Sequence, residues 1–325
     1  MAVGHEAGHE TRHDETNPQR NPASSKLPTV GLIGLGAMGI EVALNILRKG
    51  FPVVGFDVRD SAYTRFEAEG GQRAASPAEV GIQASVVILF VVNAAQAESV
   101  LAGDKGVLAA MSGKGVVALC CTALPEDAKR LGAMAAEHGV TLLDSPVSGG
   151  TAGAAAGTLT IMAAGPKDAF ESTRPVFEAF GANLYHLGTE WGLGSTMKMV
   201  NQLLVGVHIA AACEAVAFGA RAGIDPNLLY EIVSRSAGSS WAFKDRVPRI
   251  LAADYAPPSS AVNIFVKDLG IVLDTARGMT FPLPLAGSAY QQFVAASAAG
   301  WGNEDDSSVV RLFQRIADIP LPKKA

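Results

Sequence analysis

The sequence predicts an α/β protein in which a doubly wound parallel sheet is followed by an all-α domain, the two joined by a long interdomain helix. Three observations carry that expectation. From residue 29 to residue 188, short apolar runs alternate with stretches of helical periodicity, the pattern of parallel strands linked by crossover helices. After Gly188 the strand signals stop and helical periodicity alone continues. Of the 325 residues 49% are hydrophobic and 18% charged, enough apolar surface for two cores; aromatics are only 6%, as suits helices packed closely on a sheet. The expected divisions are a disordered tail at 1–26, a sheet domain at 27–188 and a helical domain at 189–325.

The strands are expected at residues 29–34, 51–57, 86–92, 116–119, 140–144, 159–164 and 183–187. The run VVILFVV at 86–92 is apolar at every position, which fits the centre of a sheet covered on both faces. Helices are expected at 36–50 and 61–70 and between several later strands. Residues 192–223 read as one helix, about 45 Å long at 1.5 Å per residue. Between Lys198 and Glu214 that stretch carries no charge beyond a neutral His208, so it is expected to be buried between domains or against another subunit. Fifteen such residues, interrupted by Asn201, Gln202 and His208, fall short of a membrane span. Further helices are expected at 226–236, 240–252, 262–278, 283–299 and 306–316.

Charge and cysteine content narrow the function. A net charge of −5 argues against a nucleic-acid partner, which would leave a basic footprint. Three cysteines, with Cys120 and Cys121 adjacent, make no disulfide framework and suggest a reducing, cytoplasmic setting. Residues 1–26 lack an apolar signal core and carry several acids, so a solvated tail is expected rather than a targeting peptide. His5-Glu6-Ala7-Gly8-His9 matches H-E-x-x-H, as does the stretch from His9 to His13. A catalytic zinc site needs that pattern on a packed helix with a third ligand, so no metal is expected.

Gly34-Leu35-Gly36-Ala37-Met38-Gly39 follows the first strand and opens a helix, the setting of a Rossmann dinucleotide loop. The first glycine allows a tight turn, the second lets the backbone approach a pyrophosphate, and the third lets helix and strand pack closely. Asp57, ending the second strand, stands where a carboxylate would accept the adenosine ribose hydroxyls, favouring NAD. Arg59, two residues on, keeps NADP possible.

Polar residues then collect where ligands bind. Lys198, Asn201 and Gln202 stand at i, i+3 and i+4 and share one face of the long helix. Burying an ammonium is unfavourable and lowers the lysine pKa towards neutrality, where it exchanges protons. Asn201 offers donors and an acceptor to orient the amine or a substrate hydroxyl. Ser148, Gly149 and Gly150 follow a strand and form a candidate carboxylate cradle. Thr122, after Cys120 and Cys121, is expected as small polar lining, since no base stands near to activate a thiol. Lys267 and Asp268 form a charge pair on an apolar helix, for which a plain surface pair is the alternative.

From residue 29 to residue 319 the chain resembles the β-hydroxyacid dehydrogenase family. The motifs occur in family order: GLIGLGAMG at 31–39, DSPVSGG at 144–150, GSTMKMVNQ at 194–202 and FVKDLG at 265–270. The resemblance implies hydride transfer between a nicotinamide and a small anionic hydroxy acid. It implies that Lys198 is the catalytic lysine, with Asn201 positioning the substrate. Ser148, Gly149 and Gly150 would contact that substrate, with Thr122, Gln202, Trp241 and Asp268 completing its site. Gly34, Gly36, Ala37, Met38, Gly39, Asp57, Val92, Asn93 and Lys267 would hold the cofactor. Segments 92–96, 202–212, 237–241, 260–270 and 304–309 look most like the family's subgroup acting on L-threonate, a four-carbon sugar acid. Oxidation of 3-hydroxyisobutyrate, or chemistry on tartronate semialdehyde, is the alternative, and a non-catalytic dinucleotide-binding scaffold the remote one. Three departures stand out: Cys121 where the family often has Ser, Ser145 where Ala is commoner, and Asn201 where the subgroup usually has His. A homodimer or homotetramer is expected from the apolar helix, and residues near Thr189 are the expected hinge.

Overall fold

The computed structural model describes residues 27–111, 113–317, 319 and 321. The expected tail and its two H-E-x-x-H matches lie outside the described residues. The sheet domain runs β1 (Val30–Ile33), α1 (Gly39–Arg48), β2 (Val53–Phe56), α2 (Tyr63–Ala68), β3 (Gln72–Arg73), α3 (Pro77–Gln83), β4 (Val86–Leu89), α4 (Ala94–Ala102), α5 (Val107–Ala110), β5 (Val116–Leu119), α6 (Pro125–Glu137) and β6 (Thr141–Asp144). These strands form one parallel, six-stranded sheet in the order β3-β2-β1-β4-β5-β6. Alternate side chains explain why every position of β1, β4 and β5 is buried. Val30, Leu32, Ile88 and Ala118 enter the core on one face; Ile33, Val87, Leu89 and Val117 enter the core on the other. The order reverses between β1 and β4, and the crevice beyond their carboxyl ends is where open α/β sheets bind ligands.

Two expected strands do not extend this sheet. β7 (Val147–Ser148), β8 (Leu159–Ala163) and β9 (Gly181–His186) form a second, three-stranded sheet, with α7 (Gly150–Ala156) and α8 (Lys167–Phe177) between them. β7 runs antiparallel to β8, and an antiparallel bridge joins Asp144 to Ala164. The chain therefore turns back after β7, starting at Gly149 and Gly150, both at positive φ.

The helical domain comprises α9 (Leu193–Arg221), α10 (Pro226–Ser234), α11 (Trp241–Ala252), α12 (Val262–Gly278), α13 (Pro284–Ala296) and α14 (Val310–Ile316). The expected helix at 306–316 starts as a 3-10 turn at Asp306–Val309. Ile209, Cys213 and Val216 of α9 form the centre of its core, with Phe243, Val247, Phe265, Leu269 and Phe293 around them. Among the described residues α9 is long and apolar enough to cross a membrane by length and composition, but half of that stretch is buried inside the protein.

Anchoring, not looseness, marks the junction near Thr189. Asp144, at the end of β6, accepts hydrogen bonds from Gly192 N at 3.0 Å, Ser195 N at 2.9 Å and Ser195 Oγ at 2.8 Å. It thereby satisfies first-turn N–H groups of α9 that no local side chain caps. A Cβ at Gly194 would stand 2.3 Å from Asp144 O and 2.6 Å from Met162 O, so only glycine lets the helix sit this close. Trp191 Nε1 donates to Leu142 O at 2.9 Å. The segment that follows Thr189, where a hinge is expected, is thus hydrogen-bonded to the sheet domain.

Candidate active site

The glycine loop has the shape its sequence implies. Gly34 has φ +94°, and a Cβ there would lie 2.4 Å from Phe90 O. At Gly39 a Cβ would stand 1.8 Å from Gly34 O, so α1 and β1 pack as only glycine allows. Gly36 differs: its Cβ would meet nothing nearer than the Arg59 guanidinium, at 3.8 Å. No side chain caps α1. An open approach at Gly36, Ala37 and Met38, facing uncapped helical N–H groups, fits a dinucleotide pyrophosphate.

Asp57 sits at the far side of this loop. Its Oδ2 accepts from Leu35 N at 2.8 Å and its Oδ1 from Arg59 N at 2.9 Å and Arg59 Nε at 3.0 Å. Burial raises its pKa, but the hydrogen bonds from Arg59 and Leu35 outweigh that and hold the carboxyl below its ordinary value. Arg59 is therefore engaged with Asp57 rather than free for a phosphate. Val92 is exposed after β4. Asn93 caps α4, its Oδ1 accepting from Gln96 N at 2.9 Å, so that oxygen already has a structural task.

The polar stripe of α9 meets α12 inside the protein. Lys198 is only 7% exposed, and its Nζ donates to Gln202 Oε1 at 2.9 Å. Asn201 Nδ2 donates to the same oxygen at 3.0 Å. Gln202 Nε2 donates to Asp268 Oδ2 at 2.5 Å, and Lys267 Nζ donates to Asp268 Oδ1 at 2.5 Å. Asp268 is 2% exposed, so the surface-pair alternative fails. Desolvation lowers the Lys198 pKa from 10.5 to about 8; Asp268 opposes that fall and Lys267 adds to it. An amine so placed gives up and takes back a proton near neutral pH.

Lys267 also reaches the end of β5, where its charge acts on Cys121. Burial nevertheless pushes the Cys121 thiol up to about 12, and Cys120 rises for the same reason. Neither is a nucleophile at neutral pH, as the sequence implied. Thr122 follows them, half-buried.

A cavity of about 570 Å³ opens between the two domains. Ala37 of the glycine loop, Gly149 and Gly150 of the second sheet, and Trp241 and Arg246 of α11 line it. Trp241 is 58% exposed at the start of α11, where Ser240 Oγ caps the helix. The structure thus brings the loop, the glycine pair and Trp241 to one cleft. Lys198, Asn201, Gln202, Lys267 and Asp268 form a separate hydrogen-bonded group that does not line that cavity. Ser148, half-buried, ends β7 next to Gly149. Among the described residues no cluster of three His, Cys, Asp or Glu side chains could hold a metal ion.

One buried pair carries no signal in the local sequence. Arg246 Nε donates to Asp306 Oδ1 at 2.6 Å and Nη2 to Oδ2 at 3.1 Å, with Asp306 fully buried. Arg246 also pairs with Asp245. This anchors the cavity wall of α11 to the turn before α14.

Comparison with known proteins agrees with this fold. Residues 29–188 match the NAD-binding domain of 6-phosphogluconate dehydrogenase, and residues 192–313 match the NAD-binding family of NADP-dependent 3-hydroxyisobutyrate dehydrogenase. The chain is 51% identical over 296 residues to an L-threonate dehydrogenase of Cupriavidus necator, covering 91% of this chain and 98% of that one. It is 36% identical over 293 residues to a 3-hydroxyisobutyrate dehydrogenase of Pseudomonas aeruginosa, covering 88% and 98%. Among solved structures, a 3-hydroxyisobutyrate dehydrogenase from Salmonella typhimurium aligns with TM-score 0.82 and 44% identity, over 88% of this chain and 99% of that one. With the dinucleotide loop, the buried lysine and the two-domain fold all in place, the chain belongs to the β-hydroxyacid dehydrogenase family and is an NAD(P)-dependent dehydrogenase of small hydroxy acids.

Proposed function

We propose that the protein oxidises the 2-hydroxyl of L-threonate, or of a closely similar four-carbon sugar acid, with NAD. The observation that carries the reading is Lys198, a desolvated amine that donates to Gln202 Oε1, which Asn201 Nδ2 also approaches, where α9 meets α12. The identity to L-threonate dehydrogenases supports the substrate, at 51% for the Cupriavidus necator protein and 43% for that of Haemophilus influenzae. The Asp57–Arg59 pair supports NAD, because a carboxylate at the ribose edge repels a 2′-phosphate and Arg59 is already engaged.

In this reading Gly34, Gly36, Ala37, Met38, Gly39 and Asp57 hold the dinucleotide, with Val92, Asn93 and Lys267 towards its nicotinamide end. When bound, the nicotinamide supplies the hydride acceptor. Ser148, Gly149 and Gly150 hold the substrate carboxylate, with Thr122, Trp241 and Gln202 around the chain. Lys198 enters as the neutral amine and takes the hydroxyl proton as the carbinol carbon loses its hydride, leaving a 2-oxo acid and a lysine ammonium. In reduction the ammonium returns that proton to the carbonyl oxygen. Asn201 positions the substrate, and the dry site strengthens each of these contacts.

Residues 27–188 and 189–325 serve as the cofactor and substrate units of a cytoplasmic enzyme. Exposed Met197, Val200, Leu204 and Phe218 run along one side of α9, which supports a dimer or tetramer. Sedimentation at micromolar concentration distinguishes these from a monomer.

The 44% identity to a structure named 3-hydroxyisobutyrate dehydrogenase favours a second reading, a 3-hydroxy acid substrate. Absorbance at 340 nm, followed with NAD or NADP against L-threonate, 3-hydroxyisobutyrate and glycerate, decides between them. The highest kcat/KM is expected for L-threonate with NAD. Preference for 3-hydroxyisobutyrate establishes the second reading, and NAD binding without turnover of any acid overturns both.

A further inference from the structure

We infer that Asp268 sets the donor and acceptor polarity of the proton-transfer site, acting through the Gln202 amide on Lys198 and Asn201. The inference rests on Lys198 being the base. An ionised carboxylate offers acceptors only. With Lys267 Nζ on Oδ1 and Gln202 Nε2 on Oδ2, Asp268 holds the NH2 end of the Gln202 amide towards α12. Gln202 Oε1 therefore faces back along α9, where it receives Lys198 Nζ at 2.9 Å and Asn201 Nδ2 at 3.0 Å.

The consequence is chemical. A neutral Lys198 amine gives one N–H to Gln202 Oε1 and keeps its lone pair for a substrate hydroxyl proton. The Asn201 amide, with its NH2 turned to Gln202, keeps Oδ1 at its opposite end to accept from another hydroxyl of the substrate, since the reacting hydroxyl gives its single proton to Lys198. If Gln202 were reversed, its NH2 would donate into the lysine lone pair and occupy the base. It would also oppose the ammonium that forms when Lys198 takes the proton. Asp268, Gln202 and Lys198 are all buried, so water does not readily substitute for a misdirected group. Asp268 is thus a positioning residue and makes no substrate contact, in contrast to the role the resemblance implied for it.

A second effect of Asp268 must be separated from this one. The charged groups acting on Lys198 are Asp268 and Lys267, both from α12. Removing the Asp268 charge therefore moves the acidic limb of the pH profile to lower pH whether or not Gln202 turns. The polarity effect is read instead on the pH-independent plateau of kcat.

The experiment is a double-mutant cycle on the full chain, with L-threonate and NAD. In Asp268→Asn, the Lys267 ammonium takes the new amide's oxygen, so its NH2 faces Gln202 and turns it. Plateau kcat is expected to fall about 10- to 100-fold, the range of a charge-assisted hydrogen bond. NAD affinity, read by fluorescence titration, stays within about twofold. In a Gln202→Met background the same Asp268→Asn change alters the plateau by less than about twofold, since its route is gone. A full loss that persists in that background, or a wild-type plateau in Asp268→Asn, overturns the inference.

Where Asp268→Asn does not fold, Asp268→Asn with Gln202→Glu keeps the net charge and returns an acceptor to Lys198. Recovery to within about tenfold of wild-type plateau kcat is expected, and an inactive folded double variant counts against the inference. Lys198→Met serves as the control. If it keeps turnover, the base assignment fails; if it is inactive while Asp268→Asn keeps its plateau, only the positioning role fails.

Discussion

Replacing Lys198 with Met tests the base through stability as well as rate. Burial lowers the Lys198 pKa from 10.5 to about 8, so holding the ammonium in the fold is unfavourable. At about 1.4 kcal/mol per pH unit, that difference amounts to about 3 kcal/mol. Below pH 8 both folded and unfolded chains carry the charge, and the full penalty is present. Between pH 8 and 10.5 the folded chain releases its proton first, so stability rises with pH and the penalty disappears. Methionine has similar reach and no charge, so Lys198→Met is expected to gain about 3 kcal/mol at pH 7. That gain shrinks through pH 9 and is absent near pH 10.5. Denaturant unfolding without cofactor, followed by tryptophan fluorescence at pH 7 and pH 9.5, measures it. Turnover should fall by about 10²- to 10⁴-fold in the same variant. A Met variant less stable than wild type at pH 7, with a pH-independent difference, would show that Lys198 is not desolvated.

Three further outcomes follow from the geometry. In the oxidation direction kcat/KM should rise with pH and level off above about 8, since the base must be neutral; a profile flat from pH 6 to 9 removes Lys198 from that role. Asp57→Ala frees Arg59 and removes the ribose acceptor, so the NAD to NADP ratio of kcat/KM should fall by about 10- to 100-fold; an unchanged ratio places cofactor choice elsewhere. Arg246→Met strands the fully buried Asp306 and should destabilise the protein by about 3–5 kcal/mol, read as a lower unfolding midpoint; a loss under about 1 kcal/mol shows that water reaches Asp306.

Much of this molecule is legible in residue spacing. The glycine loop declares itself because its tight turn and close packing tolerate no side chain at Gly34 and Gly39. The span of α9 and the shared face of Lys198, Asn201 and Gln202 follow from helical periodicity, which acts over neighbouring residues. The division into two sheets does not. Residues 159–163 and 183–186 read as strands by local pattern, and the β7–β8 and β8–β9 pairings, with the Asp144–Ala164 bridge, set them in a separate sheet. Nor does spacing place Asp268 against Gln202, 66 positions away. That meeting requires α12 to lie on α9, and Gly206 permits it by leaving room for Leu269, which a Cβ would crowd at 2.9 Å. The Arg246–Asp306 pair likewise joins elements 60 positions apart. Periodicity is a property of the local chain, so sequence alone determined the main strands and helices, the glycine loop and the residues of the helical stripe, but not the short strands β3 and β7. Partners remote in sequence are chosen by packing, so only the tertiary structure decided which carboxylate stands behind the lysine and where the chain is bolted.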